Sequence, residues 1–425
     1  MKVQILTAEI GSTTTVLSAF SCDASGKLSF LAQGESYTTV AENDVTVGIE
    51  RALIELKKRL NDDRLDWEVF IASSSAAGGL RMTVHGLVYD MTVRAAKEAA
   101  LGAGGVIKLV TAGKLSKRDL EKISRIQPRL VLLAGGVDYG EEETVIHNAG
   151  MINQLDGSIP LVYAGNTAVS DEVREIISPT GREMHFVDNV YPRIDELNVE
   201  PTRKIIREVF SRNITRGPGM EKIYSIANKP VIPTPAAVML AAELFSNTYN
   251  DVLVVDIGGA TTDVDSVTDG DPEISKMLVS PEPRSKRTVE GDLGVYVNAR
   301  HVIDHIGEKE LRGEFAYFDE IVGSLSPYPV NDEASRFSAR LGRYCFETSI
   351  RRHAGYIRQM YGPTGRIEVA QGKDLTAIKS IVGTGGLLSR SRYTRQIIDN
   401  AKSLSGNHSK ELLPGPDIRI YRDRN

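Results

Sequence analysis

The sequence predicts an α/β protein built from two similar halves. Short runs of β-branched and other apolar residues alternate with segments of helical periodicity along the 425 residues, a pattern typical of sheets covered by helices. One sequence pattern also occurs twice. An apolar run is followed by an acid, a glycine and threonines, in LTAEIGSTTT (Leu6–Thr15) and VVDIGGATTD (Val254–Asp263). Such internal similarity indicates a duplicated fold.

A second pair of glycine-rich segments follows the first pair at nearly equal distances along the chain. The two segments are LVLLAGGVDYG (Leu130–Gly140) and SIVGTGGLLSR (Ser380–Arg390). Their similarity suggests that each copy is a sheet with helices.

Individual elements follow from apolar periodicity and from capping residues. Ile49 and Leu53, with two further leucines, recur on one face of a helix over Gly48–Leu60. Asn166 fits a helix cap, and Pro201 fits an early helical position. The predicted strands are Val3–Thr7, Glu68–Ala72, Leu130–Leu133, Leu161–Tyr163, Val252–Val255 and Ala377–Val382. The other predicted helices are Thr92–Leu101, Val169–Ile177, Pro201–Ile214 and Pro235–Phe245, and the predicted loops are Ser280–Arg287 and Ser324–Asp332.

Composition argues against several classes of protein. The net charge is −5, so no basic excess exists to neutralise the phosphates of a nucleic acid. Cys22 and Cys345 lack metal-ligand spacing and suggest no disulfide framework. No apolar run is long enough for a membrane span or a signal peptide, and we expect a cytoplasmic protein. No zinc-protease spacing of histidines and no D-x-H-x-x-G segment occurs, so neither catalytic zinc nor cobalamin held in the base-off, histidine-on mode is expected.

The turn after each acidic strand offers what a metal-bound polyphosphate needs. Glycines let a phosphate approach the backbone, successive N–H groups form an anion-binding nest, and threonine hydroxyls are further donors. Carboxylates repel phosphate, so Asp256 and Glu9 are predicted to hold Mg²⁺ through water, while Asp263 orients the metal or an attacking water. These three acids are the predicted catalytic residues; the alternative is a glycine turn without a ligand. The predicted phosphate-binding residues are Gly11, Ser12, Thr13, Gly258, Gly259, Thr261 and Thr262, and those predicted to face the nucleoside are Gly383, Gly385 and Gly386.

Three further residues each have two interpretations. Asp292, in VEGDLG, either approaches the β-phosphate or lies in a plain surface turn. Arg287 either contacts phosphate or a partner, or is a solvated side chain, which we favour. Asp138 either lines the cleft or caps a helix, and capping is the more common role for such an aspartate.

Four motifs, in order along the chain, resemble the actin-like ATPases, which include DnaK-type chaperones and sugar kinases. DIGGATTD (Asp256–Asp263) resembles their second phosphate motif, and EIGSTTT (Glu9–Thr15) resembles the first. PTPAAVMLAAEL (Pro233–Leu244) resembles the connecting helix, and GTGGLL (Gly383–Leu388) lies where the adenosine motif belongs. The resemblance implies two RNase H-like halves around a nucleotide cleft, with ATP and Mg²⁺ as cofactors. Closure of the cleft around ATP would then shift the population between two conformations.

Longer segments resemble the MutL- or GlmL-type accessory proteins of glutamate (methylaspartate) mutase, a family unrelated to mismatch-repair MutL. The segments are LVLLAGGVDYG, NVYPRIDELNVEPTRKIIREVF (Asn189–Phe210), IPTPAAV (Ile232–Val238) and KRTVEGDLG (Lys286–Gly294). The resemblance implies an ATP-dependent chaperone or reactivating factor that releases damaged cobalamin from an adenosylcobalamin-dependent mutase, whose subunits would be its partners. Glu9 stands where aspartate is usual, and the first turn lacks the lysine of some related motifs. We therefore expect slow hydrolysis, or binding used as a switch.

The predicted halves are residues 1–245, with an insertion over Glu142–Arg216, and residues 246–425, with an insertion near 266–367. The helix Pro235–Phe245 is the predicted hinge. Two other functions stay open. A small-molecule kinase for a sugar or an acid would need a general base, for which Asp138 is the nearest candidate, and a nucleotide-gated scaffold would bind ATP without hydrolysis.

Overall fold

The computed structural model describes residues 2–11, 13–39, 44–75, 80–213, 219–362, 365–404 and 410–423. The chain divides into two compact units, Met1–Ala237 and Val238–Asn425. The boundary lies inside the helix Thr234–Tyr249. The boundary expected from the sequence, between Phe245 and Ser246, falls in the same helix.

Unit 1 contains two five-stranded sheets. Its described strands are β1 (Lys2–Ile10), β2 (Thr14–Cys22), β3 (Leu28–Tyr37), β4 (Asp66–Ser74), β5 (Leu80–Gly86), β6 (Gly105–Ala112), β7 (Leu130–Leu133), β8 (Leu161–Tyr163), β9 (Met184–Phe186) and β10 (Ile232–Pro233). Its described helices are α1 (Val45–Leu60), α2 (Arg94–Gly102), α3 (Lys117–Ile126), α4 (Glu143–Ile152), α5 (Ser170–Ile177), α6 (Glu200–Asn213) and α7 (Met220–Ile226), and α8 (Thr234–Tyr249) leads into unit 2.

Unit 2 contains a five-stranded sheet and a two-stranded hairpin. Its described strands are β11 (Val252–Ile257), β12 (Thr262–Val267), β13 (Ser285–Glu290), β14 (Tyr356–Gly362), β15 (Gly365–Gln371), β16 (Ser380–Thr384) and β17 (Arg419–Arg422). Its described helices are α9 (Pro272–Ser275), α10 (Ala299–Ile306), α11 (Glu308–Glu314), α12 (Phe318–Gly323), α13 (Asp332–His353), α14 (Gly385–Arg390) and α15 (Thr394–Ile398).

One sheet in each unit has the same topology. The orders are β3-β2-β1-β4-β10 in unit 1 and β13-β12-β11-β16-β17 in unit 2. In both, the first three strands in chain order form an antiparallel meander, and two later strands add in parallel beside the first strand. The predicted α/β fold with two RNase H-like halves is therefore confirmed at the level of strand order and direction.

The second pair of similar segments is not a repeat, and that part of the prediction was wrong. Ser380–Arg390 contains β16, which pairs with β11. Leu130–Gly140 contains β7, which belongs to the other sheet of unit 1. The counterpart of β16 is β4, because β4 is the parallel neighbour of β1.

The inserted sheet of unit 1 has the order β6-β5-β7-β8-β9, and its strands are all parallel. Leu130 and Leu132 belong to the core that also contains residues of α2 and α6. Val131 and Leu133 belong to the core that contains residues of α3, α4 and α5. The insertion is therefore a doubly wound sheet with helices on both faces. It begins at Leu80 with β5, earlier than the predicted start at Glu142.

In unit 2 the insertion predicted near 266–367 starts too early in the sequence. The strand β13 (Ser285–Glu290) lies within that range but pairs with β12 in the main sheet. Part of the predicted loop Ser280–Arg287 is therefore a strand. The additional elements are α10 to α13 and the hairpin β14–β15.

The first sheet of unit 1 and one face of the insertion share a continuous apolar core. It includes Leu6 of β1, Leu56 of α1 and Met82 of β5, all almost fully buried. Burial of each such side chain contributes about 1.5–3 kcal/mol. Gly34 in β3 lets α1 approach the sheet, since a side chain there would overlap the carbonyl oxygen of Ala52.

Candidate functional site

Two segments that are distant in sequence meet at the end of β11. Asp256 pairs with Asp263 across the antiparallel ladder and with Thr384 across the parallel ladder. The next residue, Gly385, has φ +86°, and a β-carbon there would overlap Oδ1 of Asp256. The predicted acidic turn and the predicted nucleoside segment are therefore in contact within unit 2.

The turn between β11 and β12 has its carbonyl groups occupied. The amide of Gly258 donates to the carbonyl of Thr261 over 2.9 Å. The carbonyls of Gly258 and Gly259 accept from backbone amides within Val295–Asn298, and Ala260 accepts from the Asn298 side chain over 2.6 Å. The backbone amides of Gly259, Ala260 and Thr261 have no acceptor among the described residues. Three successive free amides beside partly exposed backbone are donors that an anion could use.

A buried ion pair supports this turn. The guanidinium of Arg287 is 2.6 Å from Oδ1 of Asp263, with the two side chains only 2% and 13% exposed. The other Asp263 oxygen accepts from the Thr261 hydroxyl at 3.3 Å. The expectation that Arg287 is solvated was therefore wrong. The alternation of SKRTVE, with Ser285 and Arg287 both buried, is the sequence signal that was missed.

Asp292 and Thr262 already have protein partners. The Asp292 carboxylate forms two hydrogen bonds of 2.7 and 2.9 Å with the guanidinium of Arg352, and His305 lies 3.1 Å away. The bonds from Arg352 lower the Asp292 pKa to about 2. The fully buried Thr262 hydroxyl donates to the Leu293 carbonyl, so in this conformation the Thr262 side chain offers no surface to a phosphate.

The first acidic turn repeats the backbone geometry of the second. The amide of Gly11 donates to the carbonyl of Thr14 over 2.9 Å, as Gly258 does to Thr261. Glu9 is exposed and Thr13 is partly buried. Ser12, also a predicted phosphate ligand, lies outside the described residues. The two turns therefore share a hydrogen bond at equivalent places in equivalent sheets.

The three glycines of the predicted nucleoside segment have different surroundings. A β-carbon on Gly383 would lie 2.5 Å from Cδ1 of Ile398 and 3.1 Å from Cδ1 of Leu388, so packing requires this glycine. Gly386 is exposed, and a β-carbon there would meet only Nη1 of Arg390, at 3.2 Å. Gly385 is the one in contact with the acidic turn.

The donor set fits a magnesium ion that arrives with a polyphosphate. Among the described residues, no group of three or more His, Cys, Asp or Glu side chains is placed to hold a metal. Mg²⁺ keeps several waters and needs only one or two carboxylates beside substrate phosphates. Asp256 lies at the turn and is one such carboxylate, and one oxygen of Asp263 pairs with Arg287.

In the part of the chain that the structure describes, no helix combines the length and the apolar character needed to cross a membrane.

A family model and a sequence relative agree on the family of this chain. A family model described as MutL protein matches residues 5–425. Protein MutL from Clostridium tetanomorphum is 37% identical over 409 residues, which cover 92% of this chain and 88% of the relative. Among solved structures, the diol dehydratase-reactivating factor in nucleotide-free form aligns over 95% of each chain, with 11% identity and a TM-score of 0.33. Xylulose kinase from Bifidobacterium adolescentis aligns over 92% of this chain and 87% of that chain, with 10% identity and a TM-score of 0.28.

Proposed function

Because the chain belongs to the MutL protein family, we propose that it is an ATP-binding accessory protein of an adenosylcobalamin-dependent mutase. Its role is to reactivate the mutase by exchanging damaged cobalamin for intact coenzyme. The resemblance to accessory proteins of glutamate mutase over long segments supports this partner class, which includes aminomutases.

The observation that carries the proposal is the turn Gly258–Thr261. Its carbonyls are held by protein donors, and its successive amides have no acceptor among the described residues. Such an arrangement is fixed before an anion arrives, so phosphate oxygens find donors that require no reorganisation. Gly385 lets the nucleoside segment come against Asp256, because any side chain there would displace the carboxylate.

We assign each acid of the site a role. Asp256 and Glu9 would hold magnesium through water, and the metal would supply charge neutralisation on the phosphates. Asp263, fixed by Arg287, orients the metal or the attacking water. Glu9 is one methylene longer than aspartate, which does not suit near-ideal octahedral geometry. Turnover is therefore slow, and the binding of ATP, with closure of the two halves on it, is the event that the mutase senses.

Calorimetric titration of the full chain with ATP and Mg²⁺ tests the site. We expect saturable binding by the wild type and a loss of at least about tenfold in affinity for Asp256→Asn, which keeps the shape but removes the charge. Asp269→Asn is the matched control, since Asp269 is an exposed acid of the same unit. Equal affinity of the wild type and Asp256→Asn would contradict the assignment.

An inactivated mutase then tests the function. The chain with ATP and Mg²⁺ should restore activity in the presence of fresh adenosylcobalamin, and Asp256→Asn should not. Phosphate release that rises with a sugar or an acid instead of with the mutase would favour a kinase. Reactivation without phosphate release would favour a scaffold that binds ATP without hydrolysis.

A further inference from the structure

The inserted sheet has a topological switch point. Its strands follow the chain from β5 to β6 on one side and from β7 to β9 on the other, with helices α2 and α6 on one face and α3 to α5 on the opposite face. In open parallel sheets of this kind, ligands bind outside the carboxyl ends of the strands, where the order reverses. The loops after β5 and β7 lie at that point.

The glycines in the loop after β7 are not explained by a binding site for a small ligand. A side chain on Gly135 would come within 3.1 Å of the Asn166 amide, and one on Gly136 within 2.8 Å of the Glu141 carbonyl. The glycine pair is thus explained by close packing of neighbouring loops. Asp138 accepts from the Thr167 amide at the start of the helical turn after β8, which is the capping role favoured for it.

This loop instead presents Tyr139 to solvent. Tyr139 has φ +60°, a conformation that bulky residues rarely adopt, and is 85% exposed. Its amide donates to Oδ1 of the buried Asn166 over 2.9 Å. The buried Asn189 side chain holds the same loop by donating to the Gly136 carbonyl and to Asp138. The aromatic ring is therefore held outward by a rigid base.

Other exposed apolar side chains lie in loops at the same edge of this sheet. Val88 and Tyr89 follow β5, and Ile194, which is 70% exposed, follows β9. The Asp138 amide donates to the Pro192 carbonyl over 3.0 Å, which joins the loops after β7 and β9. We define the edge patch as Val88, Tyr89, Tyr139 and Ile194. Exposed aromatic and aliphatic groups on a rigid frame are typical of protein-binding hot spots.

The charge around the edge patch indicates which class of partner it favours. The loops that follow the strands β5 to β9 carry seven acids and two bases, Lys114 and Arg193, and Lys97 lies over the Tyr89 ring. An acidic surround repels nucleotides and other phosphates. It attracts a protein surface whose basic residues ring an apolar pocket.

We propose that the edge patch is the docking surface for the mutase, through a basic surface of the mutase with a pocket for the Tyr139 ring. This inference rests on the proposed function. It assigns partner recognition to the insertion and nucleotide binding to the acidic turns.

The test measures binding of the full chain to the purified cobalamin-loaded mutase by biolayer interferometry. Tyr139→Gly removes the ring and relieves the positive φ, so we expect a folded protein with affinity lowered at least about tenfold. Tyr139→Phe keeps the ring and should stay within about threefold of the wild type. Tyr317→Ser, at an exposed tyrosine of unit 2, is the matched control and should bind normally. Replacement of Glu141 and Glu142 by lysine reverses the charge of both side chains, which should slow association and weaken its salt dependence.

Each outcome bears on one proposal or the other. All variants should bind ATP like the wild type, because the edge patch shares no residue with the acidic turns. If Tyr139→Gly binds the mutase as tightly as the wild type does, the docking surface lies elsewhere while the proposed function stands. If the wild type binds ATP but not the mutase, both the partner and its docking surface are overturned. Self-association of the wild type that Tyr139→Gly abolishes would make the edge patch a contact between copies and overturn the proposal.

Discussion

Replacement of Gly385 by alanine should damage both stability and nucleotide binding. The backbone there has φ +86°, which costs a residue with a β-carbon about 1–2 kcal/mol. The added carbon would also lie 2.6 Å from the Ile257 carbonyl oxygen and overlap the Asp256 carboxylate. Rotation of Asp256 cannot relieve the backbone contact, so overpacking adds about 1–3 kcal/mol.

The combined loss of about 2–5 kcal/mol should lower the melting temperature of unit 2 by roughly 5–15 °C. The displaced Asp256 carboxylate should also weaken ATP–Mg²⁺ binding at least about tenfold. Differential scanning calorimetry and titration calorimetry, the latter well below both melting temperatures, measure the two effects. Gly386→Ala is the control for stability, since its β-carbon meets only the end of a flexible arginine, at 3.2 Å. If Gly385→Ala melts like Gly386→Ala and binds ATP–Mg²⁺ like the wild type, the assignment of Gly385 as the contact that positions Asp256 is refuted.

Three further predictions concern buried or paired charges. Arg287→Met leaves Asp263 buried without its partner and should cost about 3–5 kcal/mol; in calorimetry the double variant with Asp263→Asn should recover much of this loss, and no recovery would count against the ion pair. Burial lowers the His85 pKa from 6.5 to about 4, so the unfolded chain gains a proton first as the pH falls. Stability should be complete above about pH 6.5 and decline by up to about 3 kcal/mol towards pH 4, and thermal melts in which His85→Gln shows the same pH slope would contradict this. Arg352 lowers the Asp292 pKa from 3.8 to about 2, so this ion pair stabilises the fold above about pH 3.8, and the stabilisation is lost as the pH falls through about 2. In Arg352→Met, NMR titration should return the Asp292 pKa towards its ordinary range, and an unchanged value would rule out Arg352 as the main cause.

The elements that the sequence predicted best are buried on both faces. The strands Leu130–Leu133 and Leu161–Tyr163 have the predicted bounds, because every residue in them is buried and each run is apolar throughout. Strands such as β3 and β13 mix buried positions with partly or fully exposed ones, and their polar residues resemble those of loops. Periodicity therefore finds the centre of each sheet more readily than its edges.

The predictable part of the candidate site is the part in which the backbone conformation requires particular residues. The pattern of Asp256 and the following glycines reflects a turn that needs free amides, and the structure has such a turn. The glycines after β7 gave the same signal for a different reason, since Gly135 is required by contact with a neighbouring loop. The Arg287 ion pair joins residues 24 positions apart, and local sequence patterns contain no information about such a pair.

The shared core of unit 1 has a mechanical consequence. The turn between β1 and β2 and the edge patch belong to separate sheets, but Leu6 and Met82 pack in the same apolar interior. Close-packed interiors are stiff and transmit strain. The insertion and the first acidic turn are therefore coupled through one interior, and we expect a displacement of that turn to be transmitted to the loop that carries Tyr139.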